Sequence, residues 1–198
     1  MISFEEIQQR RSPSALRHFV EHVLTTVDWR VGIQKKGLCK EFVDEIVPLS
    51  HFAVQKYPET YSIQPVLGSQ GYDALVFDEI GVEVDRVEMT KPHDGAANAR
   101  DTNRVLEQGF GESRVQNPGD DFNELMPAIV RACKKKAQND YGDCTLVIAI
   151  DPDRPFPGFE ALFENQIQQI VDSLRKIQFK AKRVFLLILP DRIETVHA

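Results

Sequence analysis

Two apolar runs, CTLVIAI (144–150) and VFLLIL (184–189), constrain the fold of this chain more than any other feature. A strand covered on one face alternates apolar and polar residues, whereas near-continuous apolar runs suit parallel strands buried on both faces. Between the two runs, FEALFENQIQQIVDSLRKI (159–177) repeats its apolar residues at helical spacing, which makes a strand, helix, strand unit. Both runs fall far short of the roughly 20 residues of a membrane span. The opening MISFEEIQQRR is charged and lacks the apolar stretch of a secretory signal. A cytoplasmic protein with no membrane partner is therefore expected.

The 198 residues, 42% hydrophobic and 27% charged, suffice for one globular domain with a real core. Residues 1–37 read as an N-terminal helical extension and 38–198 as an α/β core, within one compact domain overall. Ser3 with Glu6 forms a capping box and Ser12 precedes Pro13, so helices are predicted over 3–10 and 13–27. A helical pattern resumes at Leu38 through Phe42, Ile46, Leu49 and Ala53, with Pro48 expected to kink or split it. Glu41 and Glu45 lie one turn apart, off that stripe. Three strands follow, 61–67, 72–77 and 82–90, separated by GSQG and DEIG. Such short connections make an antiparallel meander. Helical patterns return at 96–108 and 120–138.

The third strand, VEVDRVEMT, carries more acid than a strand needs. Glu88 and Thr90 share one face, about 6.5 Å apart. With the turn near Ile80 and Gly81, the register sets Asp73 opposite or diagonal to Glu88. Two carboxylates held that close repel, so the pair is exposed, or shares a proton, or binds a cation; a hard divalent ion is the economical explanation. The plainer alternative is a solvated polar face of a hairpin.

This arrangement resembles the PD-(D/E)XK nuclease superfamily, the restriction-endonuclease-like fold, over roughly residues 38–190. The resemblance rests on the element order together with GYDALVF followed by VEVDRVEMTK. It implies that Asp73 stands for the strand-two Asp, Glu88 for the strand-three acid, and Glu45, or else Glu41, for the helix acid. It further implies Mg²⁺ or Mn²⁺ held by Asp73 and Glu88, and hydrolysis of phosphodiesters in DNA or RNA. The departure is at Thr90, where the family has Lys; the neighbouring Lys91 should face the other way unless a bulge turns it. A hydroxyl holds water but supplies no charge. Either Lys91 or a migrated cation substitutes, or the metal acts alone, or the domain is an inactive binding module on a nuclease-like scaffold.

The net charge of −6 excludes a uniformly basic protein but not a basic patch. RACKKK, with Lys134, Lys135 and Lys136, and RKIQFKAKR, with Arg175, Lys176, Lys180, Lys182 and Arg183, are the candidate nucleic-acid contacts; Lys and Arg in the last turn of a helix also complement its dipole. Asp151 and Asp153, after an apolar strand, suggest a remote alternative, an aspartate-based phosphatase, although Arg154 and Pro155 follow where that chemistry has Gly and Thr. His93, directly after the acidic strand, is a candidate site-lining residue. His18 and His22 share a helix face but lack the Glu of a zinc-protease motif. Cys39, Cys133 and Cys144 show no CxxC spacing, and their ordinary reading is reduced thiols. A homodimer is compatible with the sequence but not indicated by it.

Overall fold

A six-stranded mixed sheet in the order β1-β2-β3-β4-β5-β6 organises the chain. The computed structural model describes residues 3–26, 38–68, 70–92, 120–152 and 157–198, with 120–125 in backbone alone. The strands are β1 Ser62–Pro65, β2 Ala74–Phe77, β3 Glu83–Thr90, β4 Asp140–Ile150, β5 Lys180–Ile188 and β6 Arg192–His197. The first three pair antiparallel as the expected meander, β3-β4 and β4-β5 pair parallel, and β6 returns antiparallel. The chain is thus α/β, as its apolar runs predicted. The predicted helix at 96–108 lies outside the described residues.

Burial on both faces follows from the apolar runs. Val147, Ala149, Phe185 and Leu187 face one core, with Val87 and Met89. Leu146, Ile148, Val184 and Leu186 face the other. The first core is closed by helices α1 (Phe4–Ile7), α2 (Pro13–Thr26) and α4 (Val47–Lys56), which contribute Ile7, Leu16, Val20, Leu49 and Phe52. The second is closed by α5 (Asp120–Lys136) and α6 (Glu160–Arg175), through Ile129, Ile167, Ile170 and Leu174.

Local chemistry sets the boundaries. The capping box forms, with the Ser3 amide donating to Glu6 Oε2 at 3.0 Å and the Glu6 amide to Ser3 Oγ at 3.1 Å. α1 is shorter than predicted because the Arg11 guanidinium folds back to donate to the carbonyls of Glu6 and Gln9. Pro48 leaves its mark upstream: α3 (Leu38–Glu41) passes through a π-helical segment, Phe42–Ile46, before α4, and Pro48 sits in the first turn of α4. A proline has no amide and clashes with the carbonyl four residues back; a widened turn removes both conflicts. At the β2–β3 turn, the Ile80 and Val82 amides donate to Asp78 Oδ1 at 3.1 and 2.8 Å, while Gly81 takes φ 84°. Part of the acid in DEIG therefore shapes a turn.

Strand β6 was not predicted from the sequence. It is short and alternates charge, with Arg192 paired to Glu194 at 2.8 Å and to Glu164 of α6 at 2.7 Å. An edge strand of that kind carries little apolar signal. Among the described residues no helix is long and apolar enough to cross a membrane.

Candidate active site

The meander register brings the predicted acids together. Ala74 pairs with Val87, and the Asp73 amide donates to the Val87 carbonyl at 2.8 Å, so Asp73 lies across from Glu88 one step beyond. The Asp73 carboxylate is fixed by the Met89 amide, which donates to Oδ2 at 2.7 Å. Both side chains are buried, Asp73 at 9% and Glu88 at 8% exposure. Like charges at that depth cannot both ionise at ordinary cost. Burial, then Glu88 and Glu45, push the Asp73 carboxyl up to about 8, against the opposing pull of the Met89 amide and Lys136.

Glu45 belongs to the same group. It sits half-buried on the π-helical segment, and burial first, then Glu41 and Glu88, raise it to about 7. The widened turn imposed ahead of Pro48 thus holds the helix acid where it feels the acids of the sheet. Glu41 stays on the same helical stretch, with Oε2 buried and no hydrogen-bond partner among the described residues.

The cation of the site comes from elsewhere in the chain. Lys136, the last residue of α5, donates from Nζ to Glu88 Oε1 at 2.8 Å. Burial opposes its charge, but the hydrogen bond and charge of Glu88 outweigh it, and its pKa is raised overall. Lys136 is therefore ionised at neutral pH. The sequence reading placed Lys136 only among nucleic-acid contacts; RACKKK read as a helix end concealed that its last member turns inward. Lys91 follows the end of β3, where strict alternation stops, and lines a cleft together with Thr90, Lys135 and Lys136. Pairing of β3 with β4 is regular from Arg86 to Thr90, so no bulge turns Lys91 toward the acids.

The second basic segment has a different task. Arg183 donates from Nη2 to Asp85 Oδ2 and from Nε to Thr145 Oγ1 at 3.2 Å. Asp85 is 4% exposed and also accepts from Tyr57 Oη at 2.7 Å and from Thr145 Oγ1 at 2.9 Å, with Lys182 Nζ 3.9 Å away. Burial first and then Asp85 raise the Tyr57 hydroxyl, which keeps it a donor. Arg183 thus neutralises a buried acid. The signal was legible: Asp85 shares a strand face with Val87 and Met89, and an acid on an apolar face requires partners. Arg175 joins Asp172 and the Thr195 carbonyl, and Lys176 and Lys180 are exposed.

His93 and Asp153 lie outside the described residues, and Asp151 is exposed just past β4. Cys133 and Cys144 are buried free thiols and Cys39 is a half-buried one. Among the described residues no group of three or more His, Cys, Asp or Glu side chains could hold a metal ion. Asp73 and Glu88 nevertheless each keep one carboxylate oxygen that accepts no hydrogen bond from a described residue. Carboxylate oxygens of that kind are the donor type that a hard divalent cation takes. No protein-family model, curated protein or solved structure matches this chain.

Proposed function

We propose that this protein is a metal-dependent phosphodiesterase acting on nucleic acid, with a restriction-endonuclease-like core. The observation that carries the reading is Lys136 Nζ at 2.8 Å from Glu88 Oε1, beside Asp73 across the β2–β3 register. It supplies from α5 the cation that Thr90 cannot supply from β3. The element order supports the same reading: acid-bearing helix, antiparallel meander, helix, then two parallel strands with a helix between.

Asp73 and Glu88 would hold Mg²⁺ or Mn²⁺, which when bound supplies an activated water and offsets charge at the phosphate. The chain's own residues divide the remaining work. Glu45, raised to about 7, takes a proton from water near neutral pH. Thr90 contributes a hydroxyl that orients water. Lys136 keeps its proton and so acts as a fixed positive charge for the phosphate, not as a base.

Cleavage of fluorescently labelled single- and double-stranded oligonucleotides in manganese tests the proposal. Lys136→Met should lower the rate by about 100-fold, the usual cost of one electrostatic stabiliser. Thr90→Ala, which removes one neutral hydroxyl, should cost about tenfold or less. Full activity in Lys136→Met would remove the basis of the reading, and cleavage of nothing by the wild type would favour the inactive binding module.

A further inference from the structure

Beside the acid pair, the end of β3 and one face of α5 bound a cleft of about 650 Å³. Ala128, Arg131, Ala132 and Lys135 line its helical wall, and their spacing of three and four residues puts them on one face. The two methyl groups leave that wall flat between cations one turn, about 6 Å, apart along the axis. Thr90 and Lys91 form the opposite wall, and Lys136 joins the cleft to Glu88. Arg131 and Lys135 are exposed. Among the described residues the lining contains no acid and no aromatic ring.

Lys and Arg at the end of a helix are explained in part by its dipole, but Arg131 lies before the last turn and Lys91 lies on another element. Four positive groups around one groove, of which only Lys136 is paired with an acid, Glu88, and no acid among the described lining residues, match a ligand carrying successive negative charges. An Arg guanidinium pairs with two phosphate oxygens at once. Proteins that grip the bases of a single strand do so by stacking them on aromatic platforms, and none of the described lining residues is aromatic. The volume is that of a small-ligand pocket, which suits a nucleotide or two of one strand.

We infer that this cleft seats the sugar-phosphate backbone of a single nucleic-acid strand and reads no base. The inference deepens the phosphodiesterase reading and rests on it for placing the scissile phosphate near Glu88; binding itself is measurable without cleavage.

Fluorescence anisotropy with labelled oligo(dT), oligo(dA) and oligo(U) of about a dozen nucleotides, in chelator, provides the test on the full chain. The three strands should bind within about threefold of one another and a duplex of the same length at least about tenfold more weakly. Arg131→Gln with Lys135→Gln should weaken binding and lower the slope of log affinity against log salt by roughly 1.4, about 0.7 per lost contact on a single strand. Both residues are exposed, so the melting temperature of the double variant should match the wild type and separate lost contacts from lost fold. Duplex binding as tight as single-strand binding, a strong preference among the three strands, or an unchanged salt slope would each overturn the inference. Intact single-strand binding without cleavage in manganese would instead overturn the hydrolase reading alone.

Discussion

Asp73 shows how one residue couples fold, pH and chemistry. Its carboxyl is raised from 3.8 to about 8 and that of Glu45 from 4.5 to about 7. The folded protein therefore holds protons that the unfolded chain has already released, so it binds more protons than the unfolded state across that interval. Stability from these groups is fully present below about pH 4 and is lost as pH rises through about 7 and then about 8. Metal-free protein should lose stability across that window in urea unfolding. Asp73→Asn keeps an acceptor for the Met89 amide and removes the charge. It should flatten the decline and, at pH 8, add roughly 1–3 kcal/mol, one pKa unit being worth about 1.4 kcal/mol. A parallel decline in both proteins would show that Asp73 does not feel its neighbours. The convergence was legible in the sequence because strand period and turn position fix a register. The inward turn of Lys136 was not, since a basic helix end looks the same whether its last side chain meets water or an acid 48 positions earlier.

At the level of elements, one departure from expectation has a local cause and the other a long-range partner. The π-helical segment answers Pro48, and its consequence is the placement of Glu45. A helical wheel drawn on the sequence assumes the ordinary turn and misses that shift. On β5, the basic residues read as a phosphate-gripping stretch, yet Arg183 is committed to Asp85 of β3 through Thr145 of β4. Arg183→Met should leave that buried acid with only the more distant Lys182 as counter-charge and lower stability by about 1–3 kcal/mol, measured by urea unfolding. The same variant should leave the salt dependence of nucleic-acid binding unchanged. A stable variant with a flattened salt slope would return Arg183 to the binding surface.

For the whole molecule, the apolar strands carried the class of fold: runs buried on both faces required helices on both sides, and α5 and α6 cover one face while α1, α2 and α4 cover the other. The returning β6 was hidden by its alternating charges. One sheet thereby places the acid pair at the meander and a cationic cleft beside it, in a chain whose net charge is −6. The central claim is that Asp73 and Glu88 together hold a divalent cation, and the melting temperature with and without manganese tests it directly. A cation that binds only the folded state at ten times its Kd adds about 1.4 kcal/mol, or roughly 3–5 °C for a domain of this size. Wild type should show that rise, larger at pH 8 than at pH 6 because the cation must displace the Asp73 proton, and Asp73→Asn should show none. Equal responses of the two proteins to manganese would contradict the account.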